Sequence, residues 1–242
     1  MTRARTLALL LASTLAAPAA ASEADAFENK IPPIAGQLYR KAGRLELTPE
    51  VERSLNDAFF AKTFLGGKAT WHFSEWLAVG GSFAAGFSSA TGSTQVCPPG
   101  QGCHAATAAQ LAAVPGEIKM KGGLELGFSP VYGKLNLLAE KVAHLDLSLL
   151  GGADWIAYRE VLPPPASPSQ PVSPGTRAAW GGHLGLGTRV FLAEWGALRL
   201  EVKDYLYRAS VAGENKWEQQ LMVELGFSFF LPTSNRSAGE AP

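Results

Sequence analysis

The chain has 242 residues, 26 of them glycine and 47% hydrophobic, and its 21 basic and 21 acidic side chains cancel. Zero net charge with no basic cluster excludes nucleic acid as a partner, and beyond the first residues no window offers the roughly 18 uncharged apolar residues of a membrane-spanning helix. What remains is a glycine-punctuated all-β composition, either a soluble barrel or one whose solvent is lipid.

Residues 1–21 read as a secretory signal peptide: Arg3 and Arg5 precede the apolar "TLALLLASTLAA", and Ala19 and Ala21 form a small-x-small cleavage site. The mature chain is therefore expected to leave the cytoplasm. Residues 22–42, with "IPP", read as a periplasmic leader, residues 43–231 as the barrel, and residues 232–242 as a disordered tail.

From Gly43 onward eight segments alternate apolar and polar side chains, the period of a strand with two different faces. The first, "GRLELTPEV", sets Leu45, Leu47 and Val51 against Arg44, Glu46, Thr48 and Glu50. The second, "FFAKTFLGGKATWHF", opposes Phe59, Leu65, Trp71 and Phe73 to Lys62, Lys68 and His72. "EWLAVGGSFAAGF" sets Leu77, Val79, Phe83 and Phe87 against small residues, and "EIKMKGGLELGFS" sets Ile118, Met120, Leu124, Leu126 and Phe128 against Lys119, Lys121 and Glu125. In "HLDLSLLGGADWIAY" Leu145, Leu147, Leu149, Ala153 and Trp155 face away from His144, Asp146, Ser148 and Asp154; in "WGGHLGLGTRVFL" Trp180, Leu184, Leu186, Val190 and Leu192 face away from His183 and Arg189. "ALRLEVKDYLY" opposes Leu198, Leu200, Val202 and Leu206 to Arg199, Glu201 and Lys203. The last, "LMVELGFSFFLP", has one wholly apolar face, while Met222, Glu224, Gly226, Ser228 and Phe230 make the other an odd mixture.

Eight such segments are the smallest even number usual for a single-chain transmembrane barrel, and most are long enough to cross the apolar layer. The expected fold is all-β: an eight-stranded antiparallel up-and-down barrel with a narrow, side-chain-filled polar lumen. Connections alternate. Residues 88–116 and the proline-rich 159–177 are long, whereas "HFSE" and "AEWG" are short, so long external loops and both termini in the periplasm are expected. "SLND" is a tight external turn, and "PVYGKLNLLAEKVA" spaces Leu135, Leu138 and Val142 for a short amphipathic helix at the periplasmic mouth.

A secreted cup holding a small ligand would invert the two faces. The polar face argues for lipid outside: Gly, Ser and Ala recur among charges of both signs, as a cramped lumen requires. That lumen is expected to hold a paired network of Arg44, Glu46, Lys68, Lys119, Lys121, Glu125, Asp146, Asp154, Arg189, Arg199, Glu201, Lys203 and Glu224. Trp71, Phe73, Trp76, Trp155, Tyr158, Trp180, Trp195 and Trp217 fall near strand ends, where interfacial girdles belong.

Cys97 and Cys103, in "CPPGQGC", are expected to form a local disulfide in an oxidising compartment; with His104 they offer too few ligands for a metal site, and no cofactor is expected. Residues 43–231 resemble the outer-membrane β-barrel domain family of myxobacteria and their relatives, on "GRLELTP", "SLNDAFFAKTFLGGKATWHFSEWLAV", "SPVYGKLNLLAEKVAHLDL" and "GFSFFL". The resemblance implies an outer-membrane location, with gliding-motility machinery as the association of some members. The last strand is also similar to the C-terminal assembly signal of outer-membrane proteins, through Glu224, Gly226, Phe229 and Leu231, which implies the barrel-assembly machinery and outer-membrane lipid as partners.

For catalysis, His144, Asp146 and Ser148 share the inward face, with His72 and His183 on other strands, but a lipid-cleaving site belongs at the outer rim and His144 falls at the periplasmic end. An open pore is excluded by a bore that eight strands fill with their own side chains. The expected function is a non-enzymatic outer-membrane scaffold whose loops meet envelope partners, with a narrow gated channel second and a lipid-modifying enzyme third.

Overall fold

The computed structural model describes residues 39–100, 102–106, 110, 111, 114, 116–137, 141–161, 175–211 and 213–232. The signal peptide, most of the expected leader, the expected disordered tail after Pro232 and much of the proline-rich loop lie outside these residues.

Among the described residues ten strands form in chain order: β1 (Leu45–Ser54), β2 (Phe60–His72), β3 (Leu77–Ala90), β4 (Gln95–Val96), β5 (His104–Ala105), β6 (Ile118–Leu137), β7 (Lys141–Arg159), β8 (Thr176–Ala193), β9 (Gly196–Val211) and β10 (Glu214–Leu231). Eight of them close into one antiparallel barrel, β1-β10-β9-β8-β7-β6-β3-β2, and β4 and β5 make a small hairpin within the loop after β3. Closure joins the first barrel strand to the last, from Leu45↔Leu231 to Ser54↔Met222. Where the eight wall strands are paired on both sides, the closed ladder leaves no edge and satisfies their backbone polar groups inside the wall, the condition for a sheet to sit in hydrocarbon.

The two faces are inverted relative to a soluble protein. Leu124, Leu126, Leu184 and Leu186 stand outward and exposed, while Lys68, Glu125, Arg199, Glu201 and Lys203 are buried inside. Trp71, Phe73, Trp76 and Trp195 crowd the exterior at the end where the chain enters and leaves the barrel (the terminal end), and Trp180 and Trp217 stand near the opposite, loop end.

Three expectations are corrected. Residues 130–137 and 141–143 are strand, not amphipathic helix; β6 and β7 pair as far as Leu137↔Lys141, past the point where β3 stops pairing at Leu77↔Phe128. Val131, Gly133 and Leu135 also alternate, and that period of two prevails because β7 supplies a partner strand along the whole stretch. Second, Lys119 lies outside the lumen. A register shift between Ile118 and Met120 resets the alternation, so Lys119 is exposed and Ile118 is buried within. Third, Tyr158 leaves the expected girdle: it points into the barrel and its hydroxyl accepts the Ser210 N–H at 2.7 Å.

The lumen is layered rather than uniformly polar. At the loop end Phe64, Ile118, Ile156, Tyr158, Tyr207 and Met222 pack as one buried cluster, and at the terminal end Phe191, Ala197 and Phe230 form a second with Tyr39 and Tyr132 against it. Charges occupy the space between. Glycine makes the first cluster possible at Gly86, where a Cβ would stand 2.4 Å from the Phe64 ring.

Candidate functional site

Inward positions on seven of the eight wall strands carry the charged layer, while β3 presents Ala78, Gly80, Ser82 and Ala84 and so leaves room for the long side chains opposite. At the terminal side Glu46 is the hub: Arg189 Nε donates to its Oε1 at 3.1 Å, Arg199 Nη1 at 3.0 Å and Ser228 Oγ at 2.6 Å, and His72 Nε2 lies 2.7 Å from Oε2. Arg189 also reaches Asp146 at 2.9 Å.

Arg199 links this group to the middle of the barrel, pairing with Glu201 and, at 3.4 Å, with Glu125. Lys203 then bridges Glu125 at 2.5 Å, Glu201 at 2.9 Å and Glu224 at 2.8 Å, and Lys68 meets Glu201 at 2.6 Å. Toward the loops Lys121 joins Glu52 at 2.5 Å and Glu224 at 3.1 Å and donates to Tyr205 Oη at 2.6 Å, which donates in turn to Glu224 at 2.7 Å. His183 Nδ1 lies 2.7 Å from Asp154 and Nε2 3.2 Å from Glu125. A charge buried in this way costs several kcal/mol unless it is paired, and here each cation touches carboxylates from more than one strand. The network therefore cross-links the wall through its centre.

Of the expected network residues, Glu46, Lys68, Lys121, Glu125, Asp146, Asp154, Arg189, Arg199, Glu201, Lys203 and Glu224 come together in these contacts. Arg44 stands apart at the terminal rim, where Nη2 donates to the Pro232 carbonyl at 2.6 Å and the guanidinium lies over the Phe230 ring at 5.1 Å. Lys119 is outside. Sequence reasoning put His72, His183 and Tyr205 on the inward face without counting them in the charge network, and it missed Glu52, which keeps the inward parity of its strand.

It also missed Lys41. Residues 39–42, which the sequence reading placed in a leader, contact the barrel interior. Lys41 is 1% exposed with Nζ 2.5 Å from Asp146, its N–H donates to Glu75 at 3.0 Å, and Tyr39 stacks on Phe191 at 5.2 Å between ring centres. This segment stops the terminal mouth.

Glu50, Glu52 and Glu224 converge, with one carboxylate oxygen from each lying within 4.8 Å of the others. Three lysines supply positive charge there: Lys121 through Glu52 and Glu224, Lys68 through Glu50 at 4.0 Å and Glu224 at 3.7 Å, and Lys203 through Glu224 at 2.8 Å. The residues weighed for catalysis are dispersed: Asp146 is held by Lys41 and Arg189, Ser148 accepts Arg189 Nη1 at 3.1 Å, and His144 packs against Tyr39 at 5.0 Å and Tyr132 at 6.0 Å.

At the loop end the Cys97–Cys103 disulfide closes the tip of the β4–β5 hairpin, in which Val96 pairs with His104. Arg159 ties the same connection to the wall, pairing with Glu117 at 2.7 Å and donating to the Leu111 carbonyl at 3.0 Å. In the last strand the expected assembly-signal residues divide by face, Glu224 and Gly226 inward, Phe229 and Leu231 outward.

No family model matches the chain, and no curated protein matches it. Solved structures similar to it include the N-terminal β-barrel domain of OprF from Pseudomonas aeruginosa, at 9% identity over 78% of this chain and 98% of that one with a TM-score of 0.47. The outer membrane protein OprG from Pseudomonas aeruginosa is 14% identical over 80% and 98%, with a TM-score of 0.44. Ail, the attachment invasion locus protein of Yersinia pestis, is 12% identical over 78% and 99%, with a TM-score of 0.36.

Proposed function

We propose that this chain is an integral outer-membrane β-barrel that works as a closed, non-catalytic scaffold, holding its loops at one membrane surface for envelope partners. The observation that carries the reading is the inversion of its faces: a closed wall with leucines and phenylalanines outward, some more than 60% exposed, and an ionic network inside. In water that exterior would aggregate; in a bilayer it is the apolar band of about 25 Å that such a barrel requires.

Occlusion supports a scaffold over a pore, since Tyr39, Phe191 and Phe230 stop one end and Phe64, Ile156, Tyr158, Tyr207 and Met222 stop the other. The engagement of Asp146 and Ser148 by Lys41 and Arg189 supports a structural rather than a catalytic use of the inward polar residues. Both long connections leave the same end, which supports loops outside and termini in the periplasm. Glu224, Gly226, Phe229 and Leu231 are the proposed signal to the assembly machinery. The family resemblance makes gliding-type machinery the proposed setting.

The test is the migration of the membrane-fraction protein on a denaturing gel, unheated and boiled. A shift on boiling together with membrane recovery is the expected result; a soluble protein with no shift overturns the reading.

A further inference from the structure

The charges enclosed between the two apolar layers do not cancel. On the terminal side Lys41 and Arg189 offset Asp146 and Glu46. His72 meets Glu46 through Nε2, and its ring needs no charge to donate there. On the loop side four buried cations, Lys68, Lys121, Arg199 and Lys203, face six buried carboxylates, Glu50, Glu52, Glu125, Asp154, Glu201 and Glu224. His183 narrows the gap. Its Nδ1 lies 2.7 Å from Asp154 and its Nε2 3.2 Å from Glu125; an ionised carboxylate only accepts, so both ring nitrogens donate and the ring is cationic. One negative charge is left without a counterpart.

That charge falls at Glu50. Glu52 has Lys121 at 2.5 Å, Glu201 has Lys68 at 2.6 Å, Glu125 has Lys203 at 2.5 Å and Glu224 has Lys203 at 2.8 Å. Glu50 is 6% exposed, and its one ion pair among the described residues, to Lys68, is stretched to 4.0 Å. Its Oε1 is covered and has no hydrogen-bond partner among the described residues. The charges that face it are Lys68 of β2, Glu224 of β10, Lys203 and Glu201 of β9, and Glu52 on its own strand. Oxygens of Glu52 and Glu224 stand within 4.8 Å of it. Carboxylates crowded together out of water do not all stay ionised, and the one with the poorest cation takes a proton.

We infer that Glu50 is held in the closed barrel as a neutral carboxylic acid, its Oε1–H donating to a carboxylate oxygen of Glu52 or Glu224. The proton comes from water as the wall closes around the layer, so assembly of the barrel consumes it and the loop-side layer becomes neutral. A metal cation would close the same count, but the ammonium groups of Lys121 and Lys203 already stand on the carboxylate oxygens it would use. Only the closed wall is required for this, whatever the loops bind.

The test uses the full chain folded in detergent micelles at neutral pH. The infrared difference spectrum of wild type minus Glu50→Gln should show the carbonyl stretch of one protonated carboxyl group, displaced in heavy water. Refolding from urea in weakly buffered solution, read with a pH indicator, should take up one proton more for wild type than for Glu50→Gln, because Glu50 is ionised in the unfolded chain. Glu50→Gln, uncharged and of the same shape, should keep the wild-type urea midpoint, whereas Glu224→Gln, which withdraws a carboxylate from Lys121 and Lys203, should lower it. Equal proton uptake, an absent band, or a Glu50→Gln midpoint lowered as far as that of Glu224→Gln overturns the inference. So does a Glu50→Gln chain that fails to fold, since a neutral group of the same shape must be accepted where a neutral acid sits. A wild-type midpoint that falls when sodium is replaced by choline or a chelator is added assigns the missing charge to a metal cation and overturns it as well.

Discussion

Lys41 Nζ lies 2.5 Å from Asp146 Oδ2, joining a residue that precedes the first strand to the wall strand β7 from inside the barrel. Asp146 is shared with Arg189, so the contact couples the segment before the barrel to the ionic layer. Lys41→Met should leave Asp146 its Arg189 partner and cost about 1–2 kcal/mol, whereas Asp146→Leu strands the buried Lys41 and leaves Arg189 with Glu46 alone for a carboxylate, and should cost about 3–5 kcal/mol. Urea titration followed by the fraction of heat-modifiable band checks the order; no cost from Lys41→Met would mean that Lys41 is not part of the network.

Arg199 offers a harsher case. It touches Glu46, Glu125 and Glu201 at once, and Arg199→Met leaves three carboxylates facing each other in a water-poor space. Removal of one partner from a buried pair costs about 3–5 kcal/mol, so this variant should assemble poorly or unfold at markedly lower urea. Adding Glu125→Gln and Glu201→Gln should restore a large part of the loss. A single variant as stable as wild type would mean that the lumen admits enough water to screen its charges.

The alternation that placed these residues was legible because the wall separates two solvents, lipid outside and ionic groups inside, and a strict period of two records that separation residue by residue. It failed where geometry departs from the period. The register shift beside Lys119 reverses parity for Ile118, and nothing in "EIKMK" marks it. Leu135, Leu138 and Val142 satisfy a helical spacing, while Val131, Gly133 and Leu135 satisfy an extended one, and the pairing of residues 131–137 with β7 decides between them. Lys41 sits off any strand, so no pattern reports its burial. Met222 and Phe230, out of place on a polar face, were the sequence's trace of the two apolar layers.

Packing in the loop-end layer is tight around Phe64, which is fully buried and faces Gly86 across the β2–β3 pair. A methyl group at position 86 would stand 2.4 Å from Phe64 Cε1 and 2.9 Å from the Ile118 carbonyl. Gly86→Ala should therefore destabilise by about 1–3 kcal/mol through overpacking. Phe64→Leu in the same chain should recover part of that loss by vacating the ring, and a double variant no better than the single one would place the conflict in the backbone instead.

The Cys97–Cys103 bond lies in a hairpin that contacts no barrel strand through its own ladder. Reduction should leave the urea midpoint of the barrel unchanged within about 0.5 kcal/mol, the scale of substitutions away from packed features. Cleavage by added protease within residues 91–116 should become faster on reduction, read as two fragments that still migrate together unheated. A lowered midpoint would instead mean that this loop folds into the barrel's cooperative unit.

On the proposed scaffold reading the two apolar clusters act as seals in series. At the terminal end the stopper is Tyr39 and Lys41 over Phe191 and Phe230; at the loop end it is the cluster around Phe64, Tyr207 and Met222. Ions crossing the barrel must pass both, and an apolar constriction blocks them by excluding water. Wild type in a planar bilayer should therefore give no unitary current, and neither should Tyr39→Ala with Lys41→Ala, since the second seal stands. Tyr207→Ala with Met222→Ala should be equally silent for the opposite reason. The four substitutions together should give small, brief openings whose ion preference follows the carboxylates Glu50, Glu52 and Glu224 and is therefore cationic. Steady current from wild type would sink the scaffold reading in favour of a channel, and current from either pair alone would mean that the charged layer and one seal do not suffice to close the bore.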